Sequence, residues 1–415
     1  MRDLNSRTFS HLHIEDWRQF SRVDIAFHHR LTVITGANGA GKTTLLNLLS
    51  RHFGWSWPLV ATPATRDQRL YEYMGGRKKR AEADIARSGA PEIIGFLEYS
   101  DHSRTALSVP TERTDRYDVG LQSPADVPGL YITSHRPIYS FQQVQSIPAT
   151  VETVEAVLSR YVGEYRNRYV QANSPSASIR IKEALISWAI FGYGNEIVAS
   201  THTAREAFDG FVIALKRTMP PSIGFKGLRI ESPEVIVETK GGDFSFDAVS
   251  GGVAALIDLT WQVYLFALTR PAFVLVIDEP ENHLHPELQR AVLPRLLNAF
   301  PFVQMIVATH NPLVVGSVEE SQVYAFKYHR RRVASTPLDL RTKAASANEI
   351  LRDVLGIETS VPDWAIQETQ RLVRALATED LTPGGAARLR QHLEAAGLND
   401  LLPDAMEAWI KLRDQ

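Results

Sequence analysis

Gly36-Ala37-Asn38-Gly39-Ala40-Gly41-Lys42-Thr43-Thr44 decides the fold of this chain. Residues 36–43 fit the P-loop pattern G-x-x-x-x-G-K-[ST]. Before it, Leu31-Thr32-Val33-Ile34-Thr35 is β-branched and reads as a buried strand. After it, Leu45, Leu46, Leu48 and Leu49 crowd one face of a helix. A phosphate cradle needs this order of strand, glycine-rich loop and helix. Glycines let backbone N–H groups converge on phosphate oxygens with no Cβ in the way, and the helix turns its positive end to the same anion. Lys42 is expected to reach the β- and γ-phosphates of ATP, and Thr43 to ligate Mg²⁺. Residues 36–44 are thus the expected nucleotide contacts.

Further along, Phe273-Val274-Leu275-Val276-Ile277 is a second buried strand, running into Asp278-Glu279. An acid at the carboxyl end of a parallel strand lies at the edge where α/β sheets bind ligands. This is a Walker B pattern, with Asp278 expected to hold Mg²⁺ and Glu279 to orient and polarise the attacking water. Taken alone, the two residues also admit the minority reading of solvated acids at a strand end. A third strand, Phe302 to Ala308, ends in Thr309-His310-Asn311. His310 there is placed to hydrogen-bond the γ-phosphate or the water; the plainer alternative is an ordinary loop histidine.

The rest of the chain organises around these motifs. His11–Ile14 and Val23–Phe27 alternate as short strands, residues 55–90 read as irregular, and 91–134 as strands and turns ending in Gly129–Thr133. Val151, Val154, Leu158, Tyr161 and Tyr165 recur at helical spacing, more helix follows through 177–217, and Pro220-Pro221 stops it. Strands return over Ile230–Phe246. The final 75 residues or so read as helices, punctuated by Ser346 and Glu349, Gly356, Thr382-Pro383, Gly397 and Pro403-Asp404. Their apolar residues, Trp364, Leu372, Val373, Leu376, Leu389, Leu393, Leu401, Leu402 and Trp409, are expected mostly in a core. The expected fold class is α/β, a P-loop NTPase with a mixed sheet core. The expected division is 1–145 for the N-terminal lobe of the ATPase core, 146–222 for a helical insertion, 223–338 for the rest of the core, and 339–415 for a small helical C-terminal extension.

Composition sets limits. Of 415 residues, 44% are hydrophobic and 22% charged, ordinary for a globular chain with a sizeable core. There is no cysteine, which excludes disulfides, Cys-ligated zinc, iron–sulfur clusters and thiol catalysis, and fits a reducing cytoplasm. The first residues are polar with no apolar run behind them, so no signal peptide is expected. The most apolar stretch, Leu256–Ile277, is interrupted by Asp258, Gln262 and Arg270, so no membrane span is expected either. A net charge of -2 leaves nucleic-acid binding to local patches, of which Arg77-Lys78-Lys79-Arg80 and His329-Arg330-Arg331-Arg332 are the densest.

Together the motifs resemble soluble ABC-type ATPases of the SMC, RecF and OLD-like branch. The matching runs are GANGAGKTT at 36–44, VSGGV at 249–253, VLVIDEPENHLHPELQ at 274–289 and ATHNP at 308–312. VSGGV resembles the ABC signature LSGGQ, with Val249 and Val253 in place of leucine and glutamine. The resemblance implies that Ser250, Gly251 and Gly252 contact the γ-phosphate bound by a second subunit in a head-to-tail dimer or higher oligomer. It also implies a glutamine near the nucleotide, for which Gln142 and Gln143 are candidates, and a basic residue there, for which Arg18 is one. An exposed helix start after serine and two glycines suits an anion.

The branch is narrowed by length. Lys42 and Ser250 stand 208 residues apart, far more than in transporter ATPases, and no long heptad arms occur. The 105 residues after His310 contain no Asp-x-Asp pair, so no nuclease activity is expected. The layout resembles standalone ATPase subunits of prokaryotic anti-phage systems of the Septu and PARIS types, which act with a separate effector such as a nuclease. A RecF- or SMC-like ATPase that clamps DNA, and an ATP-gated scaffold with little turnover, remain as alternatives.

Overall fold

The computed structural model describes residues 6–67, 70–74, 91–111, 115–136, 139–147, 151–168, 177–270, 272–339, 350, 363–379, 383–398 and 401–413. It divides into two compact units, Met1–Ile350 and Leu351–Gln415.

In the first unit eleven strands form one mixed sheet. They are β1 (Phe9–Trp17), β2 (Phe20–Ala26), β3 (Leu31–Gly36), β4 (Glu92–Tyr99), β5 (Arg104–Val109), β6 (Gly120–Gln122), β7 (Gly129–Ile132), β8 (Phe273–Asp278), β9 (Val303–Thr309), β10 (Gln322–His329) and β11 (Arg332–Pro337). Their order is β6-β5-β4-β1-β2-β11-β10-β3-β9-β8-β7. One half, β7-β8-β9-β3-β10, is parallel throughout. The other half, β6-β5-β4-β1-β2, is antiparallel. The two meet where β11 turns back from β10 and lies parallel to β2.

Sequence pattern explains the split. Every residue of β3, β8 and β9 is buried, and apart from Gln304 and the strand-end Gly36 and Asp278 those strands are apolar or β-branched, as parallel strands covered on both faces require. In β2 only Phe20, Val23 and Ile25 are buried, giving the looser alternation of a sheet with one wet face. The parallel register sets Asp278 beside Ala308 and Thr309 beside Thr35, so three strands end at one edge.

Seven helices of this unit are α1 (Lys42–Ser50), α2 (Val154–Arg168), α3 (Ala177–Tyr193), α4 (His202–Thr218), α5 (Gly251–Thr269), α6 (Pro286–Ala299) and the short α7 (Pro312–Val315). α1 packs against β3, β8 and β9, and α5 packs against α2 and α4. On α5, Trp261 meets the α3 ring of Trp188 at 5.4 Å and, edge-on, the α4 ring of Phe211 at 4.8 Å. α5 is long and apolar enough to cross a bilayer, but 67% of its most apolar window is buried inside the fold. Its Asp258 is fully buried, accepting hydrogen bonds from Tyr161 and, at 2.9 Å, from Gln262. A three-stranded meander, Phe225–Glu231, Glu234–Thr239 and Phe244–Ser245, precedes α5, in the region expected to hold strands.

Residues expected to be irregular contain short strands instead. Leu59–Val60 pairs with Arg116–Tyr117, and Thr62–Asp67 with Leu70–Met74. The segment Thr62-Pro63-Ala64-Thr65-Arg66-Asp67 has no apolar alternation, so backbone pairing there leaves no trace in hydrophobic pattern. The basic run at 77–80 lies outside the described residues, as do Ser346, Glu349 and Gly356.

Among the described residues of the second unit are three helices, α8 (Asp363–Glu379), α9 (Pro383–Ala395) and α10 (Leu402–Arg413). Ala365, Val373, Leu389, Leu393, Leu398, Leu401, Ala405 and Trp409 form its core. Trp364, expected inside, is 64% exposed, because the buried stripe of α8 runs through Ala365, Thr369 and Val373 and leaves position 364 off that face. The side chain of Leu376 lies outside the described residues.

Candidate functional site

The phosphate loop is built by close approach. Gly41 caps α1 with φ 97°, a left-handed backbone that a side chain disfavours. A Cβ on Gly41 would lie 2.3 Å from Gln19 Nε2 and 2.5 Å from Phe20 Cζ. The β1–β2 turn therefore rests directly on the loop. A Cβ on Gly36 would lie 2.6 Å from the Phe326 carbonyl of β10, and one on Gly39 would lie 3.7 Å from the Tyr328 hydroxyl. Asn38, Gly39 and Thr43 are exposed at the mouth, and Ala40 is buried beneath it.

Lys42 is buried, donating to the carbonyls of Gly36 at 2.8 Å and Ala37 at 3.2 Å. An ammonium has three donors, so one is left for a phosphate oxygen. Burial lowers the Lys42 pKa, opposed by the charges of Glu279, Asp278 and Glu281. Three carboxylates thus converge on the one lysine.

Thr43 donates its hydroxyl to Asp278 Oδ2 at 2.8 Å. Asp278 is 3% exposed, and its Oδ1 is buried with no hydrogen-bond partner. Burial pushes the Asp278 pKa up, the Thr43 bond pulls it down, and neighbouring Glu279 pushes it further up. An orphaned carboxylate oxygen beside a threonine hydroxyl fits a hard divalent cation. Among the described residues no group of three or more His, Asp or Glu forms a metal cage. Mg²⁺ needs none, since it is held by one or two protein oxygens together with phosphates and water.

Glu279 follows at φ 47°, a left-handed backbone costly for a non-glycine residue and concentrated at functional sites. Its two oxygens are held apart by two partners, Oε1 2.9 Å from His310 Nδ1 and Oε2 accepting from Asn282 Nδ2 at 3.0 Å. The His310 side chain is 46% exposed, so it faces the open mouth. The resulting cluster joins four sequence-expected residues, Thr43, Asp278, Glu279 and His310, with Lys42 beside them.

Three further residues complete the cluster without having been singled out from sequence. Arg136, buried, donates to the carbonyls of Thr133, of Asp278 at 3.2 Å and of Glu279 at 3.0 Å. Asn282 also donates to the Ser134 carbonyl at 2.9 Å. Glu281, 3% exposed, accepts from the Thr309 hydroxyl, and burial raises its pKa. The third acid in Asp278-Glu279-Pro280-Glu281 was visible as a repeat of charge beside a buried strand. The Arg136 contacts span more than 140 residues of sequence and were not visible.

Other expected residues sit elsewhere. Ser250 caps α5 without a side-chain hydrogen bond, and Ser250 and Gly251 are exposed. A Cβ on Gly251 would touch nothing within 4 Å, whereas one on Gly252 would lie 3.1 Å from the His283 carbonyl. Among the described residues no hydrogen bond joins 250–252 to the phosphate loop. Arg18 lies in the turn that rests on the loop but donates to the Val60 carbonyl at 2.9 Å. Gln142 is tied through its backbone, the N–H to Asp247 Oδ2 at 3.4 Å and the carbonyl to Lys182 at 2.6 Å.

Several segments of the chain are similar to known proteins. Residues 11–56 match the family described as "AAA domain", and residues 160–316 match "AAA domain, putative AbiEii toxin, Type IV TA system". The "Retron Vc95 probable ATPase" of Vibrio cholerae serotype O1 biovar El Tor is 42% identical over 50 residues, 12% of this chain and 10% of that protein. The "Retron Ec83 probable ATPase" of Escherichia coli is 30% identical over 125 residues, 29% of this chain and 22% of that protein. The chain therefore spans only a tenth to a fifth of these two relatives. The "Septu protein PtuA" of Bacillus thuringiensis is 20% identical over 380 residues, covering 85% of each chain. The SMC head domain from Thermotoga maritima superposes with TM-score 0.41 at 15% identity, covering 82% of this chain and all of that one. The chain is thus similar to Septu PtuA over most of its length, and its mixed sheet, phosphate loop and flanking helices are those of a P-loop NTPase core of ABC type.

Proposed function

We propose that this chain is a Mg²⁺-dependent ATPase that closes head-to-tail on a second copy around ATP and controls a separate effector, such as a nuclease, in prokaryotic anti-phage defence. The observation that carries the reading is the convergence of Lys42, the Thr43–Asp278 pair and the Glu279–His310 pair at one end of the parallel strands. The defence assignment and the separate effector rest on the homology to Septu PtuA and on the layout of the chain. In this reading 146–222 is a helical insertion in the ATPase core and 339–415 an appended helical region.

Mg²⁺, held by Thr43 and Asp278, would neutralise charge on the β- and γ-phosphates. The loop amides of residues 36–44 and Lys42 bind the triphosphate. Glu279, with both oxygens restrained, takes the proton of the attacking water. His310 steadies that carboxylate from the open mouth of the site. Ser250, Gly251 and Gly252, at the start of α5 with the first two exposed, serve the site of the second copy. No covalent intermediate is required, since these groups act on developing phosphoryl charge.

The test is ATP turnover of the full chain with Mg²⁺, compared with Lys42→Ala. A wild type with no turnover, or a variant with unchanged turnover, would remove the reading. A second reading, an ATPase that grips DNA, is favoured by one feature, the exposed Arg330-Arg331 tip beside the loop. Turnover that rises with added duplex would support it.

A further inference from the structure

Lys182 is fully buried on α3, and it has three acceptors. Its ammonium donates to the Gln142 carbonyl at 2.6 Å, to Glu234 Oε2 at 3.1 Å and to Asp247 Oδ2 at 2.5 Å. Its three donors are therefore all engaged. Each acceptor belongs to a different part of the chain. Glu234 is on the three-stranded meander. Asp247 is in the short 3-10 turn Phe246–Ala248, three residues before Ser250. Gln142 is in the segment that leaves β7 past Arg136.

That segment is anchored at its other end to the acids. Arg136 grips the backbone of Asp278 and Glu279, and Ser134 is bonded to Asn282. In between, the ring of Tyr139 stacks on the fully buried Phe246 at 5.7 Å and 19°. Residues 134–136 thus lie at the acids of the site, and residues 139–142 at the turn that starts α5. Lys182 fastens the second of these.

The node is a poor device for stability alone. One cation meets two carboxylates, the Asp247 side chain is 2% exposed, and Asp247 Oδ1 and Glu234 Oε1 are buried without partners. Apolar residues of similar volume often serve a fold as well as or better than a buried ionic group, whereas ionic groups fix a single register. Register is what this place needs, because the start of α5 must be presented at a defined angle to another copy.

We propose that Lys182 is a positioning residue that locks residues 141–142 to Asp247 and so fixes Ser250–Gly252 in the orientation that completes the second copy's nucleotide site. This rests on the ATPase reading above. It assigns α3 a duty in turnover without contact to nucleotide.

The test uses the full chain and two replacements, Asp247→Asn, and Lys182→Met combined with Asp247→Leu. Each is measured for thermal midpoint, ATP affinity, kcat and ATP-dependent dimerisation, the last in a Glu279→Gln background. Both variants are expected to bind ATP within about twofold of wild type while kcat and dimer formation fall on the order of tenfold or more. If the paired variant fails to fold, Asp247→Asn reads the same quantities with the shape retained. A folded variant with kcat and dimerisation near wild type overturns the proposal, as does loss of ATP affinity in parallel with kcat. Wild-type chain without turnover would instead remove the ATPase reading itself.

Discussion

Glu279 Oε1 stands 2.9 Å from His310 Nδ1, and Asn282 holds the other carboxylate oxygen at 3.0 Å. A carboxylate restrained at both oxygens is held in one orientation, with a lone pair left on each oxygen to accept a proton. Glu279→Gln keeps the shape but not the basicity, so kcat should fall by about 10²–10³ while ATP still binds. Closed dimers should then accumulate with ATP, as light scattering would register. Removing only the restraint, His310→Ala should cost less. Normal turnover in Glu279→Gln would reject Glu279 as the base.

Asp278 offers a buried unpartnered oxygen next to the Thr43 hydroxyl. Asp278→Asn should raise the Mg²⁺ concentration for half-maximal turnover by roughly tenfold or more. Its thermal midpoint in the absence of nucleotide should not fall, since burial disfavours the charge that is removed. A titration of turnover against Mg²⁺ together with a melt separates the two effects.

Gly41→Ala combines a left-handed backbone with overlap on Gln19 and Phe20. The backbone alone costs about 1–2 kcal/mol, and displacement of the β1–β2 turn adds to it. Lower stability and weaker ATP binding should appear together, whereas Gly251→Ala, open to solvent, should leave the melt unchanged.

The β10–β11 hairpin turns on Arg330 and Arg331, at φ 47° and 68°, with His329 paired to Arg332. A two-residue loop with both φ positive usually carries Asn-Gly. Neither arginine has a hydrogen bond or ion pair among the described residues, and both are exposed. The pair Arg330→Asn, Arg331→Gly should therefore stabilise the chain by a few tenths to about 1 kcal/mol. If the tip touches nucleic-acid phosphates, the slope of log affinity against log salt should shrink by nearly 2. An unchanged slope in fluorescence anisotropy would mark the tip as solvated surface.

His52, partly buried between Tyr99 and the Leu49 carbonyl, has its pKa lowered by burial to about 4. Between about pH 6.5 and 4 the unfolded chain binds a proton there and the folded one does not, so stability falls as pH falls through that window. The contribution is on the order of 2–3 kcal/mol, reduced where water reaches the ring. Denaturant melts at pH 7 and pH 5 should differ more for wild type than for His52→Gln.

The phosphate loop and the strand-end acids were legible because their chemistry is local, a few consecutive residues between a β-branched run and a helix. Glu279 and His310 could be placed at one edge from parallel strands alone. Arg136 and Lys182 could not, since each acts through carbonyls or carboxylates distant in sequence. The strands at 62–74 escaped because their pairing is made by backbone with no apolar rhythm. Trp364 shows the converse, a large apolar residue that periodicity leaves outside.

The helix that begins at Ser250 gets its cover from α2 and α4, and the Asp258 at its heart is satisfied by Tyr161 of α2. Those covering helices therefore cannot be exchanged as a free module. A relative that shed or replaced them would have to recolour α5 with polar residues at the same evolutionary step, or present a bilayer-length greasy rod to the cell's quality control.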